Sequence, residues 1–498
     1  MAQVGSALRS GRRGRGFKSR LPDHRGNPPF LPGELLTLSN VFRVSPIDNP
    51  LRAPWRVFIS TALGSYLVTA NISTMNVAFP GLEASFADAS RGALTWVLNS
   101  YTIAFAALLI PAGNLADRFG RRQLFWAGLA VFGFASVVIG AAPNLPVVIG
   151  ARTLQGVGGA LVTPSSLGLL LAATPSSHRT RTVAKWGAIT ALGIATGPSL
   201  GALIIDATNW RWAFLILPAA CVAAYGCGKG HLPDTTINKQ LPLPDGWGAL
   251  LLATSMALIA FSIVQIRPRG FSFGVQTTFI LGLLIFVVVI LRSRNHVAPA
   301  IPLNLFRIRT FLWANIATLI QSFSLSASLL VNILWLTGGW KYGIATAGLA
   351  TTASPLLVAV LAPVAGRYGS YLGIRRFAIP GSLAWGVGNL LYVLLITDRP
   401  SWLFIWLPIS LLVAVGVATT FPLVSAAALV DVGPRDYAVA GAVLQVARQF
   451  GATIGVASLI SLVGDSAELS AYKAAWLVVA ISGGVSAVTL IFVGDTRR

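Results

Sequence analysis

Three observations predict an all-α chain threaded repeatedly through a bilayer. Windows of about 20 residues, the length that crosses a hydrocarbon core, are apolar almost without break from Trp55 to the C-terminus. Hydrophobic residues make up 55% of the 498 residues and charged residues only 10%, fewer charges than a soluble surface carries. The charges gather in short connections between the apolar stretches, which is the pattern of spans and loops.

The spans follow in order. Val57–Val77, Leu94–Ala112, Gln123–Ala141, Pro146–Ala173, Thr182–Ile205 and Trp212–Gly228 make a first group of six. Gly248–Ile266 and Phe273–Leu291 come next as a pair. Phe311–Thr337, Thr346–Ala365, Phe377–Ile396, Trp402–Ala427, Val439–Val463 and Ala474–Val493 make a second group of six. A weak internal repeat explains the grouping. Gly113-Asn114-Leu115-Ala116-Asp117-Arg118-Phe119-Gly120-Arg121-Arg122 follows the second span, and a similar turn from Gly366 to Arg376 follows the tenth, with both glycines at the same spacing and Ser370 in place of Asp117. Two six-span halves related by an axis along the membrane normal produce such a repeat. The predicted architecture is 14 transmembrane helices as 6 + 2 + 6: an N-terminal bundle over residues 56–230, a linker with two extra spans over 231–309, and a C-terminal bundle over 310–498.

The formal charge of +22 would suggest a nucleic-acid partner in a soluble chain, but its distribution says otherwise. With the N-terminus in the cytoplasm, 28 of the 37 Lys and Arg fall in cytoplasmic segments, 7 in outer loops and 2 within spans, while the 15 acids divide 9 inside and 6 outside. This is the positive-inside pattern. It places both termini in the cytoplasm, with the plasma membrane and its lipid as the surroundings, and needs no nucleic acid. Residues 1–55 hold scattered Gly, Pro and Arg without apolar periodicity, the composition of a disordered basic tail. An alternative for this stretch is a coding start further downstream, because Gly16–Arg20 matches the translated arm of a transfer-RNA gene. With Cys221 and Cys227 as the only cysteines, and His24, His178, His231 and His296 in the tail or loops, neither a metal site nor a nucleophile–base pair can be assembled within the spans. The expectation is a non-enzymatic protein without metal or cofactor.

The motifs resemble those of the major facilitator superfamily, and in particular its fourteen-span drug:proton antiporter branch. The turn Gly113, Asp117, Arg118, Gly120, Arg121 and Arg122 is similar to the family's first-turn motif, Arg152–Gly159 to its arginine motif, and Gly193–Gly201 to its antiporter motif. Asn76–Pro80, the stretch from Pro302 to Phe311, and Ala447–Gly451 resemble the fourteen-span branch. The resemblance implies a monomeric secondary transporter that exports small amphipathic or lipophilic compounds by alternating access and draws on the proton gradient. It also implies that Asp117 latches the cytoplasmic side against the start of span 13 near Tyr437–Val439. One departure stands out: the branch carries an aspartate five residues before Asn76, where this chain has Asn71, which cannot titrate. A span-end acid such as Asp206 or Asp431 would then carry the proton, or coupling differs.

Each motif also has a plainer physical reading. Arg118, Arg121 and Arg122 are topology determinants, and Asp117 a solvated counter-charge. Gly193, Gly197 and Gly201, four residues apart, allow close helix approach, and Pro198 can kink the span; a hinge and simple packing are both compatible with that. Arg152 and Arg448 lie well within spans, where a charge needs a protein or water partner. They serve either a substrate cavity or local ties to Gln155 and Gln449. The polar and aromatic candidates for a cavity in the first half are Asn71, Asn76, Trp96, Asn99, Tyr101 and Arg152. In the second half they are Gln321, Asn332, Gln445 and Arg448. Two other readings stay open: a membrane sensor or scaffold that does not transport, and a transporter of one metabolite without proton antiport.

Overall fold

The computed structural model describes residues 54–175, 179–234, 240–433, 436–464 and 468–493. The basic tail, apart from its junction with the first helix, lies outside the described residues, as does Arg435, the basic residue beside the start of span 13 and the alternative partner expected for Asp117. The first half comprises α1 (Pro54–Ser85), α2 (Arg91–Phe119), α3 (Arg121–Gly140), α4 (Leu145–Ala172), α5 (Arg179–Ala207), α6 (Trp212–Leu215) and α7 (Leu217–Gly228). The extra pair is α8 (Gly246–Arg269) and α9 (Phe273–Asn295). The second half comprises α10 (Arg309–Leu334), α11 (Ile344–Ala350), α12 (Ala353–Leu372), α13 (Ile374–Leu395), α14 (Leu407–Ala427), α15 (Tyr437–Val463) and α16 (Leu469–Ile491).

Twelve of the described helices are long and apolar enough to cross a membrane. Two predicted spans differ from a straight helix. The fifth is bent by 40° between Ile194 and Thr196. Pro198 explains it, since it has no N–H to donate to the carbonyl of Ile194 one turn earlier. The sixth is the shorter apolar segment Trp212–Gly228, broken at Ile216. At 1.5 Å per residue it reaches about 26 Å, a little less than a hydrocarbon core. Its two flanks nevertheless sit at opposite ends of the bundle. Trp210 Nε1 donates to Ser85 Oγ at 2.8 Å, at the end of α1, and Asp234 pairs with Arg122 at 2.5 Å, beside the α2–α3 turn. Below, the near end is that of the first residue of α1, and the far end its opposite.

Capping follows the sequence. Ser90 accepts from the Ala93 N–H and Asn144 from the Val147 N–H, starting α2 and α4, which satisfies donors that a helix start leaves free. The two turns of the repeat share one backbone solution. Gly120 has φ 100° between α2 and α3, and Gly373 has φ 99° between α12 and α13. Such positive φ is a region that glycine occupies without steric cost.

In the first half α1 packs on α5 and α7, and α4 packs on α2 and α3; in the second, α10 packs on α15 and α16, and α13 on α14 and α16. Glycine seams set the closest approaches. A Cβ at Gly193, Gly197 or Gly201 of α5 would strike Thr69, Ser73 or Thr74 of α1 at 2.1–2.5 Å. The hydroxyl of Thr74 donates to the carbonyl of Gly197 at 2.9 Å. The antiporter-type motif is therefore the seam between α1 and α5. Its counterpart joins α15 to α10, where a Cβ at Gly451 or Gly455 would meet the carbonyl oxygens of Leu319 or Phe323 at 2.1 and 2.3 Å.

The extra pair packs unequally. α8 lies against α2 and α15, one helix from each half, whereas α9 lies chiefly on α8 and leaves Ile280, Leu284, Val287 and Val288 exposed, as a lipid-facing helix does. At the near end the pair is clamped by Asp245, which is fully buried, caps α8 through the Gly248 N–H at 2.8 Å, and takes the Arg292 Nε on both carboxylate oxygens at 2.8 and 2.9 Å.

Candidate functional site

The two halves meet along α2–α15 and along α5 with α11 and α12. Three hydrogen bonds tie them in the far half of the bundle. Ser199 and Thr352 share one at 2.6 Å, Thr102 and Thr453 another at 3.0 Å, and Arg91, held by Glu83, donates to the Gly464 carbonyl at 2.8 Å. Close packing adds to them: a Cβ at Gly348 would lie 2.2 Å from the Cβ of Ala202.

Just inside this closure lies a pocket lined from both halves. Ile72, Met75 and Asn76 of α1, Leu98, Asn99 and Thr102 of α2, and Arg152 of α4 face Ser326 of α10 and Ala452 and Val456 of α15. The space is about 30 Å³, room for a water or two and too small for an organic molecule as the halves stand.

Arg152 organises the first-half wall. Only 1% of it is exposed. Its Nε donates to the Val97 carbonyl of α2 at 2.9 Å, and its Nη1 donates to Asn71 Oδ1 of α1 and to Gln155 Oε1 one turn on. Gln155 passes the connection to Ser136 of α3 at 2.7 Å. The face of the Tyr101 ring lies 4.4 Å from the guanidinium carbon, a favourable place for a desolvated cation. One planar, five-donor group thus ties α4 to α1 and α2 directly, and to α3 through Gln155. Every acceptor it uses is neutral. The ion pairs described elsewhere are Glu83–Arg91, Asp117–Arg121, Arg122–Asp234 and Asp245–Arg292.

Arg448 of α15 is the second buried cation. It donates to Gln445 Oε1 and Ser425 Oγ, both at 3.0 Å, and lies 5.1 Å from the Phe421 ring. Its Nε is buried with no partner among the described residues. Gln445 is thus a holder of Arg448 rather than part of the pocket wall, and Gln449 is not the amide that Arg448 uses.

Of the ten cavity candidates read from sequence, Asn76, Asn99 and Arg152 line the pocket, and Asn71 and Tyr101 stand directly behind it as partners of Arg152. Three others face elsewhere. Trp96 packs on Phe261 of α8 at 6.4 Å; Gln321 donates to Ser486 of α16 at 3.1 Å, and Asn332 accepts from Trp476 of α16 at 3.0 Å. Their polarity serves seams within one half or against the extra pair. Thr102, Ser326 and Thr453 carry no sequence signal beyond a hydroxyl in an apolar run. Asp117 pairs with Arg121 four residues on, at 2.8 Å and half exposed, and forms no bond to the first turn of α15 among the described residues. Gly113 packs at ordinary distance on Pro164 of α4, and Arg118 donates to the Leu241 carbonyl of the linker.

The Major Facilitator Superfamily sequence model matches residues 61–334. The chain belongs to the major facilitator superfamily. It is a multi-pass membrane transporter of this superfamily rather than an enzyme. The chain is 29% identical over 446 residues to a methylenomycin A resistance protein of Streptomyces coelicolor, covering 86% of this chain and 91% of that one. It is 29% identical over 413 residues to the multidrug resistance protein Stp of Mycobacterium tuberculosis, with 81% and 75% covered. It is 28% identical over 424 residues to a tetracenomycin C resistance and export protein of Streptomyces glaucescens, with 83% and 77% covered. A crystal structure of a peptide transporter POT in complex with sulfate shares the fold, with a TM-score of 0.63 over 88% of this chain and 93% of that one at 15% identity.

Proposed function

We propose that this major facilitator exports small amphipathic or lipophilic compounds across the plasma membrane by alternating access of its two six-helix halves, as a monomer with fourteen spans and both termini in the cytoplasm. The observation that carries the reading is a buried, arginine-bearing pocket lined from both halves and sealed toward the far end, the arrangement of a site with one side closed. The names of the relatives, resistance and export, supply the direction. The fourteenth crossing is Trp212–Gly228, whose flanks lie at opposite ends of the bundle. The positive-inside distribution of Lys and Arg puts the near end in the cytoplasm, so the far-end closure faces outward and the pocket waits for substrate from within. The proton gradient is the energy source, carried by a span-end acid. Asp431, which accepts the Thr310 hydroxyl at 2.7 Å at the near end, is one such group.

Everted membrane vesicles energised by respiration test the reading. A neutral lipophilic dye is expected to accumulate in vesicles that contain the protein, and collapse of the pH gradient is expected to abolish accumulation; uptake independent of the protein would sink the exporter. The latch follows from the same cycle. With the far end closed, Asp117 is left to Arg121, and it is the outward-open state that brings it to the start of α15. Asp117→Ala is expected to lower accumulation about tenfold, an amount equal to about 1.4 kcal/mol, with unchanged membrane insertion. Near-normal accumulation would reduce the motif to a topology signal.

A further inference from the structure

We propose that the pocket receives the head group of a monovalent organic anion, with Arg152 as its fixed counter-charge; this names the substrate class of the export reading above and rests on it. Four observations support the assignment. Arg152 is buried and spends Nε and Nη1 on three neutral acceptors, the Val97 carbonyl, Asn71 and Gln155. Its Nη2 makes no hydrogen bond among the described residues, although the residue borders the pocket. No carboxylate among the described residues lies within ion-pair reach of it, all four described pairs being elsewhere. Asn99 lines the same pocket and is buried, and its amide nitrogen is a donor able to meet an anion.

A buried cation surrounded only by neutral dipoles is costly, and an arriving anion removes most of that cost. The guanidinium is held flat by Val97, Asn71 and Gln155, so Nη2, the nitrogen with N–H bonds still unspent, is oriented before the ligand arrives, and a carboxylate oxygen can accept from it. The hydroxyl of Ser326 and the amide nitrogen of Asn99 are neutral donors able to complete the head-group shell. Ile72, Met75, Leu98 and Val456 make the rest of the wall apolar, which suits an aliphatic or aryl tail. A lipophilic cation would meet Arg152 with nothing to offset the repulsion. Asn71 is decisive in this arrangement. A carboxylate at that position would neutralise Arg152 permanently; the amide leaves the charge available.

The test is a binding titration that does not depend on transport. Purified full-length protein is titrated with 4-phenylbutyrate and with (4-phenylbutyl)trimethylammonium, matched in apolar length, and followed by quenching of intrinsic tryptophan fluorescence. The carboxylate is expected to bind at least about tenfold tighter than the cation. Arg152→Gln is expected to erase that preference. Because Arg152→Gln also removes ties between helices, the isosteric Asn71→Asp is the second arm: it should melt no lower than the native chain, since the new carboxylate pairs with Arg152, while anion affinity falls about tenfold and the cation gains. Tighter binding of the cation by the native protein, no binding of the anion, or an Asn71→Asp variant with undiminished anion affinity would each overturn the assignment. Energised export of a neutral dye without anion preference would overturn the anion site and leave the export reading standing. Anion binding without energised flux would do the reverse.

Discussion

Gly451→Ala is expected to disable the transporter, while Gly441→Ala, ten residues earlier in α15, is expected to leave it unchanged. A Cβ at Gly451 would lie 2.1 Å from the Leu319 carbonyl oxygen and 2.9 Å and 3.1 Å from the carbon atoms behind it. All three are backbone atoms, so no side chain can rotate away and α10 must separate from α15. At Gly441 a Cβ meets nothing within 4 Å. Overpacking costs about 1–3 kcal/mol, and occasionally more, and the loss comes in a membrane, where close van der Waals packing is a principal source of helix association. Melting of the detergent-solubilised protein followed by size-exclusion fluorescence checks it. Equal melting temperatures for the two variants would mean that the seam is loose.

Arg152→Met carries the second large effect. It strips a charged donor from Asn71 Oδ1, Gln155 Oε1 and the Val97 carbonyl at once, and each hydrogen bond to a charged group is worth about 1.5–3 kcal/mol. The Tyr101 ring also loses the cation that lies against it. Lower melting temperature and loss of accumulation in everted vesicles are both expected. Arg152→Lys is expected to recover little of either, because a point ammonium cannot reach α1, α2 and the next turn of α4 in the plane that the guanidinium serves. Full recovery by lysine would show that charge alone is needed at this position.

The sequence made the helices legible because lipid enforces long apolar runs, and the repeat made the two halves legible because a tight turn needs glycine in both copies. It gave less about which face of each helix points inward. In a helix that is apolar all round there is no polar face to read, so Trp96, Gln321 and Asn332 are indistinguishable by composition from Asn76 and Asn99. Only the packing shows that the first three serve α8 and α16. Arg152 was the exception: a cation inside a span demands partners, and Asn71, Gln155 and Tyr101 supply them. The bend in α5 was legible from Pro198. The break at Ile216 has a like cause in Pro218, in the first turn of α7, but its place was not legible from the unbroken apolar run Trp212–Gly228. Nor was the Ser199–Thr352 contact, since hydroxyls in apolar helices more often bond their own backbone.

The paired turns at Gly120 and Gly373 bear on how much the two halves of such a protein have to share. Their backbones agree to within 1° in φ, yet one copy has Asp117 where the other has Ser370. Of the two features, only the dihedral is a condition of closing the turn. The carboxylate is free to drift in whichever half does not use it. With the latch proposed above, the halves are equal as scaffold and unequal as machinery, and a mutational scan is expected to meet the same intolerance at both glycines but different tolerance at positions 117 and 370.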